Sequence, residues 1–289
     1  MSAPPPRQRV RASFDRAAAS YDDAAVLQRQ VCESLLAGFM PSPGPISILD
    51  AGCGTGYGAR LLRGRWPDAT ITAVDFAPAM LARARQDADL CLVADIEALP
   101  CQADCYTTWW SNLTVQWCAV DPVFREARRV LRPGGQLALS TLGPGTFDEL
   151  RKAFSGIDRH LHTLTFNEPA TIEAALVGAG FSEIRLHRET ISLHYPDLKT
   201  LLRAVKDIGA NSVGEGGRSG LLGRAAWQRV QIAYEAHRTA AGLPARYDVI
   251  LAYARNCQTP AAGSSPAPIP RSARLLSPAR YCTPAARPG

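Results

Sequence analysis

Between Ser47 and Leu62 the chain reads SILDAGCGTGYGARLL, with glycines at 52, 54, 56 and 58 set between two apolar runs. Glycine weakens both strands and helices. Four in seven residues therefore mark a backbone that turns sharply and lets another group approach closely. A β-branched and aliphatic run precedes them (ISILDAG) and a helix-forming run follows (YGARLLRGRW). The unit is a strand, a tight loop and a helix, which aims backbone N–H groups at whatever lies beyond the strand end.

The pattern repeats downstream. ATITAVDF, LCLVADI and CYTTWWSN read as strands, APAMLARARQDA and DPVFREARRVL as helices, and QLALSTL as a strand after the turn RPGG. Strands alternating with helices predict an α/β fold, a doubly wound parallel sheet with helices on both faces. Ahead of it, residues 13–39 have apolar positions every three or four residues and predict one helix. Behind it come a helix in TIEAALVGAGF, a long strand SEIRLHRETISLHY, two helical stretches within 192–243, and a last strand RYDVILAYARN. Residues 1–12 are Pro/Arg-rich and read as flexible. Residues 257–289 hold seven prolines, four arginines and no acid, and read as a disordered tail.

Composition narrows the function. The net charge of +6 is carried largely by that tail: without its four arginines, 28 basic residues face 26 acidic ones. A general nucleic-acid-binding role loses its main support. No run reaches the ~18 apolar residues of a membrane helix, and the first residues have no apolar signal core, so a cytoplasmic protein without a membrane partner is expected. None of the eight cysteines forms a C-x-x-C pair, and no metal site is predicted.

In a doubly wound sheet the ligand sits at the carboxyl ends of the strands. GTGYGA, Gly54–Ala59, fits the dinucleotide pattern G-x-G-x-x-G/A. The acids point elsewhere. Asp75 ends the second strand and suits the two hydroxyls of an adenosine ribose. Asp95 ends the third, placed for an adenine amino group with Ile96 against the ring. Asp50 lies just before the glycines, where a carboxylate suits a cationic amino group and repels a pyrophosphate. Together they describe S-adenosylmethionine better than a nicotinamide dinucleotide. An NAD-dependent oxidoreductase and a non-enzymatic adenosyl-ligand-binding protein remain as alternatives.

ILDAGCGTGYGARLL, VDFAPAMLARAR, ADIEALP and VLRPGGQLALST, in this order, resemble the motifs of class I S-adenosylmethionine-dependent methyltransferases. The resemblance implies a Rossmann-like, seven-stranded, mostly parallel sheet whose last strand runs antiparallel. It also implies an N-terminal helical lid and a helical insertion before that strand. The domain would span 13–256 with the insertion at about 192–243. The implied cofactor set is Asp50, Gly52, Gly54, Gly56, Asp75, Phe76, Asp95, Ile96, Asn112 and Leu113.

SFDRAAASYDDAAVLQRQV, SNLTVQWC, GPGTFDEL, HLHTLTF and LLRAVKDIGANS resemble, more narrowly, the malonyl-[acyl carrier protein] O-methyltransferases of biotin synthesis. That implies methylation of the free carboxylate of a malonyl thioester, whose ester enters fatty-acid synthesis to build the pimeloyl chain. The acyl carrier protein is the partner, and a monomer is expected. A carboxylate is ionised at pH 7, so no general base is required. Tyr21, Asn112, Trp117, His162 and Lys206 are the candidates for positioning the substrate, with Gln116 beside Trp117. Arg203, Arg218 and Arg224 are candidates for a carrier-docking surface. Asp22, Asp23, Asp104 and Asp121 read as caps and solvated charges. The alternative within this chemistry is an O- or C-methyltransferase for a free dicarboxylic acid or a quinone precursor.

Overall fold

The computed structural model describes residues 6–157, 163–207 and 223–257. Seven strands form one sheet: β1 Ser47–Ala51, β2 Thr70–Asp75, β3 Leu90–Val93, β4 Tyr106–Asn112, β5 Leu131–Leu142, β6 Ser182–Tyr195 and β7 Leu243–Arg255. Their order is β3-β2-β1-β4-β5-β7-β6. The first five pair in parallel, while β7 is antiparallel to both β5 and β6. The order reverses between β1 and β4, the point at which this class of sheet opens a crevice.

Helices α4 Tyr57–Arg65, α5 Pro78–Ala84, α6 Val120–Val130 and α8 Pro169–Gly178 follow their strands. The two sheet faces carry separate cores. Adjacent Trp109 and Trp110 on β4 are both fully buried yet belong to opposite cores, as the two-residue period of a strand dictates. Strand β6 is the edge, and its residues alternate between half-buried and exposed.

Three expectations need correction. Residues 13–39 are not one helix but three: α1 Arg7–Ala17, α2 Tyr21–Ala24 and α3 Val26–Gly38. α1 packs on α5, and α3 packs on α4, β4 and β5. A straight rod cannot reach both, so packing overrides a favourable helix propensity at Ala18–Ala25. The flexible segment expected over 1–12 is helical from Arg7, with Val10 buried. RPGG does not end an element. It is drawn into β5 as an irregular start, with Gly134 donating to the Asn256 carbonyl and Asn256 N–H to that of Gly135.

Helices α7 Asp148–Phe154, α9 Leu198–Asp207 and α10 Arg224–Glu235 complete the described elements. α7 was not foreseen within GPGTFDEL. Its approach is fixed by Asp248 on β7, which is buried, accepts the Gly145 N–H at 2.8 Å and binds the Arg188 guanidinium at 2.6 and 2.7 Å. Burial alone would raise the Asp248 pKa. The Arg188 contact and the Gly145 N–H outweigh it and hold the carboxyl below its ordinary value.

Candidate active site

Three chambers adjoin above the carboxyl ends of β1, β2 and β4. The first, with about 710 Å³ of free space, is lined by Phe76, Asp95, Ile96 and Leu113 together with Asp75, Gly52 and Gly54. The second, about 1010 Å³, is mostly apolar, with Leu27, Leu142, Phe147 and Leu150 in its walls and Lys206 among its lining. The third, about 700 Å³, lies along the glycine loop beside Asp50, Gln28 and Arg29. Tyr21 alone lines all three.

The loop is held open by its own geometry. Asp75 takes the Gly54 N–H on one carboxylate oxygen at 2.9 Å and the Ala77 N–H on the other at 2.8 Å. Each oxygen keeps a lone pair for a further donor. Gly54 has φ +54, and no atom lies within 4 Å of where its Cβ would stand. That face of the loop is open toward the first and third chambers. Gly56 differs from the expectation: it lines none of the chambers. Its N–H is spent on the Cys53 carbonyl, and a Cβ there would meet the Ala84 backbone at 2.8 Å. It packs α4 onto α5 and contributes no chamber wall.

Asp50 lines the third chamber. It is buried, and its Oδ2 has no hydrogen-bond partner. Burial, helped by the charge of Asp75, pushes it up to about 7, with only the Ala59 N–H acting against them. Burial likewise brings Asp75 up to about 6, against the opposing Ala77 and Gly54 N–H bonds. A cationic amino group in the third chamber would satisfy Asp50. Arg29 lines the same chamber and supplies the opposite charge, so a zwitterionic amino acid moiety fits there. Asp50, the open face at Gly54 and Asp75 thus line one continuous polar path along the glycine loop.

The adenine end is less open than expected. Asp95 Oδ1 accepts the Glu97 N–H at 2.9 Å, and Oδ2 pairs with Arg7, which also reaches Glu97. Helix α1 thus closes the first chamber, with Val10 and Phe14 as its wall. Asp22 is not a solvated charge. It accepts the Thr55 hydroxyl at 2.5 Å and the Arg83 guanidinium at 3.0 Å, tying the α1–α3 arm to the glycine loop and α5.

The substrate candidates divide. Tyr21 lies where the chambers meet. Burial first, then the charges of Asp75 and Asp22, push its pKa well above the ordinary value, so it stays a neutral O–H donor. Trp117 forms a wall between the first two chambers and meets Phe14 edge-on at 5.6 Å. Asn112 lines the first and third, and its amide is partly used: Nδ2 donates one N–H to the Gln28 carbonyl at 2.9 Å and Oδ1 accepts the Ser140 hydroxyl at 2.7 Å. Gln116 lines the second chamber and donates to the Leu113 carbonyl. Lys206 is exposed and lines the second chamber. His162 and Arg218 lie outside the described residues. Cys53 and Cys118 are chamber-wall thiols, Cys118 pushed up to about 12 and Cys53 raised as well, both chiefly by burial. Neither supplies a thiolate. Among the described residues no cluster of His, Cys, Asp and Glu is fit to hold a metal ion.

Arg7, Phe14, Gln28 and Arg29 were not singled out from the sequence. Phe14 and Tyr21 stand seven apart, a helix-face spacing that signals packing and not a ligand. No local signal marks the other three.

Comparison with known proteins agrees with this geometry. A methyltransferase-domain family matches residues 49–139. The chain is 49% identical over 252 residues to the malonyl-[acyl-carrier protein] O-methyltransferase of Dechloromonas aromatica, covering 87% of this chain and 95% of that one. It is 44% identical to the protein of the same name from Laribacter hongkongensis, covering 86% and 89%. The biotin biosynthesis bifunctional protein BioHC of Teredinibacter turnerae is 38% identical over 86% of this chain and 47% of its own length. Among solved structures, a phosphoethanolamine N-methyltransferase of Haemonchus contortus in complex with S-adenosyl-L-methionine superposes with a TM-score of 0.53 at 18% identity, covering 84% of this chain and 57% of that one. An S-adenosylmethionine-dependent methyltransferase of Thermotoga maritima gives 0.51 at 16%, covering 86% and 99%.

Proposed function

The chain belongs to the malonyl-[acyl-carrier protein] O-methyltransferases, and from that premise we propose that it methylates the free carboxylate of a malonyl thioester at the junction of its three chambers. S-adenosylmethionine supplies, when bound, an electrophilic sulfonium methyl group. Asp50 and Arg29 would hold its amino acid end, Asp75 its ribose, and Phe76, Ile96 and Leu113 its adenine. The meeting of donor and acceptor chambers at Tyr21 is the observation that carries the reading.

The chain has little proton chemistry to do. The malonyl carboxylate is ionised at neutral pH, so the acceptor oxygen needs no base. Positioning and dryness are what remain, and proximity of this kind is worth several orders of magnitude in rate. The Tyr21 hydroxyl orients the carboxylate. The Phe14–Trp117 pair excludes water from the junction. Leu142, Phe147 and Leu150 receive the apolar stem of the thioester arm.

The carrier reading draws on α9. Lys199, Arg203 and Lys206 are exposed on that helix beside Asp197, whose pKa the Thr200 N–H and then Lys199 lower, and Lys206 lines the acceptor chamber. Such a stripe suits an acidic carrier protein delivering its acyl group on a phosphopantetheine arm.

The test is methyl transfer from labelled S-adenosylmethionine to malonyl-carrier protein, malonyl-coenzyme A, free malonate and acetyl-carrier protein in parallel. Base-labile label on the malonyl thioesters alone is expected. Label on free malonate in preference to the thioesters would favour a small-molecule enzyme. Cofactor binding without transfer to any malonyl compound would overturn the reading.

A further inference from the structure

Three carboxamides stand around the junction of the chambers, and two of them already spend one N–H on a backbone carbonyl. Asn112 donates to the Gln28 carbonyl and accepts from Ser140, and Gln116 donates to the Leu113 carbonyl. The side chain of Gln28, on α3, makes no hydrogen bond with any described residue, and its Oε1 is shielded from solvent. Gln28 lines both the acceptor chamber and the chamber beside Asp50, and with Tyr21 it is one of two residues shared by that pair. Its backbone is fixed to the end of β4 by the Asn112 bond, while its neighbour Leu27 is buried in the core.

We propose that the Gln28 amide is a substrate-carboxylate ligand, donating through Nε2 to the malonyl oxygen that does not attack. The proposal rests on the carboxyl O-methyltransferase reading above.

Gln28 is half-buried, and a solvent-shielded amide oxygen left without a partner is unfavourable. Only Oε1 is shielded from solvent, so the other end of the amide, Nε2, keeps its donor capacity toward the chambers that Gln28 lines. The donor is neutral, and that suits the chemistry. A guanidinium or ammonium would hold the carboxylate more tightly but would draw electron density from the oxygen that must attack. Tyr21 and Gln28 offer two uncharged donors from adjacent turns of the arm. A carboxylate held at one oxygen by both leaves the other free to face the donor chamber.

The reading makes Gln28 sensitive to one substrate group and not to the rest of the acyl arm. Gln28→Met keeps the length and volume of the side chain and removes the donor. With malonyl-carrier protein as substrate, kcat/KM should fall about tenfold or more, as expected for a lost hydrogen bond to a charged group. Acetyl-carrier protein lacks the carboxylate and serves as a competitive inhibitor. Its inhibition constant should stay within twofold of the wild-type value, as should the dissociation constant of S-adenosylhomocysteine. Gln28→Glu is the second variant. It keeps the shape and polarity, so it remains informative if Gln28→Met folds poorly, and its charge should reduce malonyl transfer further while sparing the acetyl inhibitor.

Equal weakening of malonyl and acetyl thioesters would mean that Gln28 only shapes the chamber. A comparable loss of S-adenosylhomocysteine affinity would assign the amide to the cofactor. Unchanged malonyl kinetics would leave it without a role in substrate binding. Each of these results overturns the proposal. Wild-type protein inactive on every malonyl thioester would instead remove the reading on which it stands.

Discussion

Cofactor affinity should depend on pH through Asp50. In the free protein this carboxyl is brought up to about 7 by burial and by Asp75. The cofactor's ammonium group calls for the ionised form, so binding at low pH must first remove a proton. The apparent dissociation constant then scales as one plus ten to the power (pKa − pH), about 11 at pH 6 and about 1.3 at pH 7.5. The ligand's own amino group, with an ordinary pKa of about 7.7–8.0, costs a further factor of about 1.5 at the upper end. The net expectation is affinity weaker by about five- to sixfold at pH 6 than at pH 7.5, or ~1 kcal/mol. Titration calorimetry with S-adenosylhomocysteine at several pH values reads this directly. Repeating it in buffers of different ionisation heat should reveal a net release of about 0.4 proton at pH 7, Asp50 giving up about half and the ligand's amino group taking up about a tenth. Asp50→Asn should bind more weakly and lose the slope. Folding stability moves in the opposite sense. The folded pKa values of Asp50 and Asp75 lie above the unfolded one, so their contribution is complete below about pH 4 and is lost as pH rises through about 6 to 7. The ligand-free melting temperature should therefore carry a decline from these groups over that range, and saturating ligand should offset it. Affinity that is flat within twofold, or tighter at pH 6, would refute the argument. Asp50 would then already be ionised in the free site, or the ammonium would bind elsewhere.

Other substitutions separate the parts. Tyr21→Phe removes the hydroxyl and should lower kcat/KM for the malonyl thioester by about 10- to 100-fold, a hydrogen bond to a charged group. S-adenosylhomocysteine binding, measured alongside, should hardly change. Gly54→Val puts a branched side chain at a positive φ and into open ligand space. Cofactor affinity should fall more than tenfold with a stability loss of about 1–2 kcal/mol, and a variant that binds normally would place the ligand away from the loop. Asp248→Ala strands the Gly145 N–H and frees Arg188, whose side chain is 53% exposed and returns to water. About 2 kcal/mol of stability should be lost, seen in denaturant unfolding, along with activity, because the turn it anchors leads to Phe147 and Leu150 of the acceptor chamber.

The glycine loop and its strand-end acids were legible as one group because their signals are local. The glycine loop and the acids at the ends of three successive strands recur at β–loop–α spacing, and periodicity alone places them at the carboxyl edge of the sheet. Of the acceptor half, Tyr21, Gln116, Trp117 and Lys206 were named from the sequence and line the second chamber, whereas Gln28 and Phe14 were missed. Gln28 and Phe14 are ordinary residues on an amphipathic helix, and they reach the chambers only because the arm breaks between Ala18 and Ala25. That break follows from what α1 and α3 pack against, which no window of sequence contains. Gly56 fails for the converse reason: it sits in the motif, yet its conformation serves the packing of α4 on α5. The acids Asp22 and Asp95 were read by position, and their partners Thr55, Arg83 and Arg7 come from elsewhere in the chain.

Phe14, Tyr21, Leu113 and Trp117 form a party wall between the first and second chambers. A wall common to two ligands makes their affinities interdependent. Whichever ligand arrives first orders those side chains, and the second meets a surface whose entropy has already been surrendered. Reciprocity then requires the acyl thioester to tighten S-adenosylmethionine by the same factor that S-adenosylmethionine tightens the thioester. The departing products are subject to the same linkage. Esterification abolishes the negative charge on the acyl side, and demethylation abolishes the positive charge on the cofactor side. The attraction that helped the substrates assemble is absent from the products they become.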